Sequence, residues 1–349
     1  MGIFIELTAT VCVSAATPPN PKRKGIQTMS TVLTEAPAAH PAANRPFVLK
    51  GVMQAPVTPL HDDFSVDYDG LAKMVDFHVR NGAPAIAWPH HKAESPNLTM
   101  EERKLGAEVL VKTVARRVPV SIFVGSLSEE DSLDLARHAQ KIDADMLLTI
   151  SPYCRRPTQE EIFHSIVRIG SHTELPVLTY NSPWRNGEGV EFTSELVARL
   201  IERLPNYIGM KDASFHSEKF MEISRVALRM RPGFSIIMGL EHLLASYPLG
   251  ACGSFSSCGA IAPNLCNRLF AALVANDWET ARTCQYKITK LYRLFKDQYP
   301  SSLKGAMISM GRPAGPIRGP LPTATKERVE FLCRQLEALD VINTEPHGW

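Results

Sequence analysis

The chain has 349 residues, of which 44% are hydrophobic and 21% charged, and its formal net charge is +2. That length and composition support a large buried core, organised as one big domain or two smaller ones. Near-neutral, interspersed charge excludes the electrostatic footprint of a nucleic-acid or membrane-surface protein, and no apolar stretch is long enough to span a bilayer.

Residues 1 to 46 differ from the rest in being rich in Ala, Pro and Thr, with Pro18-Pro19-Asn20-Pro21-Lys22-Arg23-Lys24 ahead of Met29. The opening apolar run contains Glu6 and has no basic residue before it, which makes a poor secretory signal. We read this segment as a disordered or extended tail, or as an over-long start with Met29 as initiator; scarce acids leave organelle targeting open. The seven cysteines form no CxxC pair and no zinc-type Cys/His spacing, which suits a reducing compartment, buried thiols and a cytoplasmic protein.

From Phe47 onward, short apolar runs alternate with amphipathic segments. The runs Leu49 to Val57, Pro84 to Trp88, Val118 to Val124, Met146 to Ile150, Pro176 to Tyr180, Tyr207 to Lys211, Phe234 to Met238 and Cys252 to Ser256 are expected strands. Between them, Thr99, Ser128 and Thr158 each precede an acid by three residues, the chemistry that satisfies the orphan amides of a helix's first turn. Leu71, Met74, Val75 and Val79 then recur at helical spacing, as do Leu133, Ala136 and Ile142. Eight βα units predict an α/β fold, a (β/α)8 TIM barrel over residues 47 to 276. An open doubly wound sheet is second, because Val57-Thr58-Pro59-Leu60 is no Gly-rich phosphate turn. Helical patterns at Trp278 to Phe295, Ser302 to Met310 and Ala324 to Ala338 predict an appended helical subdomain over residues 277 to 349.

In such a barrel the functional side chains sit at strand C-termini and in the loops that follow. Those positions hold Thr58, His90 to Ser95, Gly125-Ser126, Tyr153, Tyr180, Arg185, Lys211, Gly239-Leu240-Glu241 and Ser254 to Gly259. Lys211 stands out. A lysine closing the apolar run Tyr207-Ile208-Gly209-Met210 is costly to desolvate as a cation, and its obvious use is as a neutral amine that attacks a ketone.

The motifs Gln54-Ala55-Pro56-Val57-Thr58-Pro59-Leu60, Glu94-Ser95-Pro96, Ser151-Pro152-Tyr153, Pro157-Thr158-Gln159, Tyr180-Asn181, Arg185-Asn186-Gly187 and Gly209-Met210-Lys211-Asp212-Ala213-Ser214 occur in order. Over residues 48 to 340 the chain therefore resembles the dihydrodipicolinate synthase / N-acetylneuraminate lyase family of class I aldolases. The resemblance implies a Schiff base between Lys211 and pyruvate or another 2-oxo acid, with no cofactor beyond that covalent imine. Tyr180 would relay protons, the amides of His91 and Lys92 would hold the substrate carboxylate, and Arg185 would meet an acid group on the second substrate. Thr58, Gly239 and Phe255 would complete the substrate-binding set. It also implies a homodimer or homotetramer with the Tyr153-Cys154 loop near a subunit boundary, and a small-molecule 2-oxo acid as the binding partner.

Departures from the family pattern narrow the reaction. Where members typically carry Gly-Thr-Thr-Gly-Glu this chain has His90-His91-Lys92-Ala93-Glu94, and Cys154 replaces a relay tyrosine. These changes lead us to expect a lyase or aldolase other than dihydrodipicolinate synthase itself. A 2-oxo-3-deoxy acid dehydratase or hydratase-aldolase, and a non-catalytic 2-oxo acid binding relative, are the alternatives. His91 is the expected replacement for the lost hydroxyl in proton transfer. Lys92, if turned inward, would bias Lys211 towards the neutral amine and attract an anion. His90, beside Pro89, reads as a loop residue, and Glu94 as a structural carboxylate. Trp88 and Trp184 flank the rim and suggest a more apolar pocket, although core packing is the stronger reading of each.

Overall fold

Strands β1 (Gly51–Gln54), β2 (Ile86–Trp88), β3 (Val120–Phe123), β4 (Met146–Ile150), β5 (Val177–Asn181), β6 (Tyr207–Asp212), β7 (Ser235–Met238) and β8 (Gly253–Ser256) run parallel. They close into a barrel in sequence order, β8 returning to β1 with Gly51 opposite Gly253 and Gln54 opposite Ser256. The structure is a computed structural model that describes residues 49–152, 156–183, 190–214, 216–239, 241–296 and 298–349. Nearly every strand residue is buried, because side chains fill the barrel on one face and meet helices on the other. That two-sided burial is why the strands read as apolar runs rather than alternating ones.

All eight expected strands form, and the barrel replaces the open-sheet alternative. The first is shorter than the run Leu49 to Val57, since Pro56 has no amide to give to a ladder. Helices α1 (Tyr68–Arg80), α2 (Met100–Val114), α3 (Glu129–Lys141), α4 (Gln159–Ser171), α5 (Ser194–Arg203), α6 (Ser217–Met230), the short α7 (Leu243–Ser246) and α8 (Pro263–Val274) follow the strands. Thr99, Ser128 and Thr158 are the N-caps of α2, α3 and α4. Thr99 with Glu102 and Thr158 with Glu161 form full reciprocal capping boxes, each cap contributing about 1 kcal/mol. The buried stripe of α1 contains Leu71, Met74 and Val75, three of the four residues expected from periodicity; Val79 is only partly buried.

Beyond the barrel, α9 (Trp278–Lys296), α10 (Ser301–Ser309), α11 (Lys326–Ala338) and α12 (Val341–Thr344) form the C-terminal helices. Their apolar residues, among them Leu291, Phe295, Leu303, Met307, Leu332 and Leu336, join the same buried cluster as the barrel residues Met53, Leu148 and Met210. Two charged residues also fasten this part to the barrel. Lys304 of α10 pairs with Glu94 at 2.9 Å, both side chains buried. Arg312 is fully buried and donates to the carbonyls of Ala260 and Ile261 at 3.1 Å each. Among the described residues no helix is long and apolar enough to cross a membrane.

Candidate active site

Parallel pairing sets β5 against β6 with Tyr180 opposite Lys211 and Asn181 opposite Asp212. Alternation along each strand then sends Tyr180 and Lys211 to one face and their successors to the other. Gly209 allows the close strand spacing this requires: a Cβ there would lie 2.4 Å from the Ser235 carbonyl oxygen of β7 and 2.8 Å from a Leu178 methyl of β5. Asn181 and Asp212 tie the two strands together, Asn181 Nδ2 donating to Asp212 Oδ2 at 2.5 Å. Asp212 Oδ1 accepts from the Ser214 amide and hydroxyl. Burial pushes the Asp212 carboxyl up from its ordinary range, and these hydrogen bonds oppose the shift.

Lys211 is 4% exposed, and its Nζ lies 3.9 Å from the centre of the Tyr180 ring and 5.1 Å from that of Phe255. A third ring completes the surround: His90 Nδ1 is 3.2 Å from Lys211 Nζ. His90 stacks on Tyr180 with centroids 6.4 Å apart, meets Phe255 edge-on at 5.1 Å and Phe123 at 6.1 Å. His91 faces the same rings, 5.7 Å from both Tyr180 and Phe123. The expected catalytic set of Lys211, Tyr180 and His91 is therefore brought together, and His90, read from sequence as an ordinary loop residue, stands 3.2 Å from the lysine nitrogen. Its signal in the sequence is only its place, two residues past the end of β2.

The loop after β2 owes its shape to several anchors. His91–Ala93 and Ser95–Asn97 are single 3₁₀ turns hinged at Glu94, whose φ of 58° is left-handed. A non-glycine residue pays for that conformation unless held, and Glu94 is held by Lys304 and by the Arg318 amide at 2.9 Å. Glu94 is thus structural, as expected, with its partner on the distant α10. Thr58, expected to bind substrate, braces this loop: its hydroxyl donates to the Ala93 carbonyl at 2.6 Å and accepts from the Trp88 indole at 3.2 Å.

Lys92 turns inward, but its ammonium donates to the Ser256 carbonyl of β8 at 2.8 Å. Trp88 takes the stronger of its two readings, core packing, and does not form an apolar rim. It is fully buried and packs outward against α2, where Gly106 leaves it room: a Cβ on that glycine would lie 2.3 Å from the indole. Phe255 does line the site, as the distances to Lys211 and His90 record. Gly239 follows β7, and its amide donates to the Asp212 carbonyl at 2.5 Å, fastening the loop beside Lys211. Glu241 accepts from the Ser256 hydroxyl at 2.8 Å and the Cys258 amide at 3.0 Å, holding the turn after β8. Arg185, Trp184, Tyr153, Cys154 and the tail to residue 46 lie outside the described residues. Among the described residues no cluster of three or more His, Cys, Asp or Glu side chains has metal-binding geometry.

A lysine nitrogen withdrawn from water, flanked by a phenol and two imidazoles, suits addition to a carbonyl followed by proton transfers. Comparison with known proteins agrees with this chemistry. The model of the Dihydrodipicolinate synthetase family matches residues 48–339. The 4-hydroxy-tetrahydrodipicolinate synthase of Parabacteroides distasonis is 32% identical over 296 residues, covering 82% of this chain and 97% of the relative. That of Dechloromonas aromatica is 31% identical, covering 82% and 98%. Among solved structures, YagE, a prophage protein from E. coli K12 in complex with pyruvate, superimposes with a TM-score of 0.80 at 25% identity, over 84% of this chain and all of that one. The names of the curated relatives lend no support to the expectation that dihydrodipicolinate synthase is excluded.

Proposed function

The chain belongs to the dihydrodipicolinate synthetase family of lyases, and on that footing we propose that Lys211 forms a Schiff base with pyruvate or another 2-oxo acid. The observation that carries this reading is the buried Lys211 nitrogen, 3.9 Å over the Tyr180 ring at the C-terminal end of the barrel. Once formed, the imine is an electron sink that stabilises the enamine produced by C–C cleavage or by deprotonation. Tyr180 is positioned to relay a proton to or from the reacting oxygen, with His91 against its ring as a second acid–base group. The amides of His91 and Lys92 are the proposed carboxylate ligands, and Phe255 closes the apolar wall behind the substrate. Arg185 is proposed to meet the second substrate on the strength of its motif.

Incubation with pyruvate and borohydride, followed by peptide mass analysis, tests the nucleophile. Lys211 should carry the reduced adduct, and Lys211→Ala should abolish it. An unmodified Lys211 across a panel of 2-oxo acids would sink the reading.

Three reactions pass through the enamine. Addition to an aldehyde, a synthase reaction, is favoured by curated relatives named 4-hydroxy-tetrahydrodipicolinate synthase, 32% and 31% identical over 82% of the chain. Dehydration or retro-aldol cleavage of a 2-oxo-3-deoxy acid is favoured by the imidazoles at His90 and His91. Product analysis separates them: the synthase assay reads the first, water loss without chain cleavage reads dehydration, and release of pyruvate plus an aldehyde reads cleavage.

A further inference from the structure

We propose that His90 is a catalytic residue in its own right, the base that frees the Lys211 amine and then returns the same proton to the departing water. The inference rests on the imine reading above and adds to it a residue and a proton path. Its basis is contact: His90 Nδ1 lies 3.2 Å from Lys211 Nζ, within reach of a direct proton transfer at the reacting atom itself. The ring is held for that task. It is 2% exposed and packs between Tyr180 of β5, Phe123 of β3 and Phe255 of β8, so its Nδ1 has a fixed aim. An imidazole ordinarily titrates near 6.5 and so serves as acid and base alike around neutrality.

The proton balance closes with one imidazole. His90 takes a proton from the Lys211 ammonium, leaving a neutral amine and an imidazolium. The amine nitrogen bonds to the carbonyl carbon as the C=O π pair moves to oxygen, and that oxygen takes the proton from His90. His90 next removes a proton from the new C–N nitrogen and gives it to the hydroxyl. The C–O bond breaks, water leaves, and the nitrogen lone pair closes the protonated imine. Ammonium and ketone become iminium and water, with His90 neutral at the start and at the end.

The titratable groups packed around the His90 ring include Lys211 from β6 and Tyr180 from β5, with His91 next to it on its own loop. Phe123 and Phe255 contribute no charge.

The test is rapid-quench borohydride trapping of pyruvate on the wild type, His90→Gln and His90→Gly across about pH 5 to 9. Imine formation should slow by about 100-fold or more in both variants, with Lys211 still fully trapped at long times. Added imidazole should restore part of the rate in His90→Gly, an effect no packing role produces. Wild-type rates in either folded variant would overturn the role of His90 while leaving the imine intact. No trapping in the wild type with any 2-oxo acid would overturn the imine and the role of His90 together.

Discussion

Acid should unfold this protein partly through one histidine outside the proposed chemistry. His78 on α1 is 2% exposed, lies 5.7 Å from the Phe77 ring, and its Nδ1 has no hydrogen-bond partner among the described residues. Burial, reinforced by the positive charges of Lys92 and Arg312, pulls its pKa down from 6.5 to about 3. Arg312 is itself held at about 10 by burial and so remains a cation throughout the neutral range. The sign follows from proton counting. Between those two values the unfolded chain binds a proton at His78 that the folded chain refuses, so the stability it lends is complete above about pH 6.5 and drains away as pH falls. At about pH 5 the unfolded imidazole is almost fully charged and the folded one almost fully neutral, which removes about 2 kcal/mol relative to pH 7. The figure hardly moves if the folded value is somewhat above or below 3. Replacing His78 with Met, a side chain of similar volume that cannot titrate, should leave a protein whose urea-unfolding free energy falls less steeply between pH 7 and 5, by about those 2 kcal/mol. The comparison of slopes cancels any change in packing that the substitution brings. Equal acid slopes in the two proteins would refute the argument, because the folded state would then be accepting the imidazolium.

Three further substitutions test the frame around Lys211. Glu94→Gln leaves the buried Lys304 ammonium with the Pro316 carbonyl at 2.7 Å and no anion, so stability should fall by about 3 kcal/mol; an unchanged melting temperature would mean that the pair contributes nothing. Tyr180→Phe keeps the ring face under Lys211 but removes the phenol, so turnover should drop by about 100-fold while borohydride trapping changes little; equal losses in the two would argue against a relay after imine formation. Gly209→Ala drives a methyl to within 2.4 Å of the Ser235 carbonyl oxygen, and β6 and β7 must part to admit it. A loss of about 2 kcal/mol in urea unfolding and slower trapping at Lys211 should accompany it, whereas wild-type behaviour would show that the strands have slack.

The framework of this fold is written in local sequence, and the loop chemistry is not. Strand runs and the hydroxyl–acid pairs at Thr99 and Thr158 specify their elements within a few residues, because ladders and caps involve neighbours in the chain. The juxtaposition of Tyr180 and Lys211 was legible for the same reason: two strand ends in consecutive βα units meet side by side. Trp88 packs in the core, the stronger of its two readings, but a strand of three residues gives too little alternation to say which face it turns, and the room made by Gly106 on α2 decides that. His90 was misjudged for a longer-range reason. Whether that loop sends its first histidine inward depends on the left-handed turn at Glu94, and Glu94 is fastened by Lys304, 210 residues further on. A motif can report that a loop has exchanged glycine and hydroxyl groups for imidazoles, but the direction of each ring is set by a C-terminal helix that no local pattern mentions. The strand register that presents Lys211 is thus independent of the loop that carries His90 and His91, so imidazoles can stand beside this lysine without disturbing its placement.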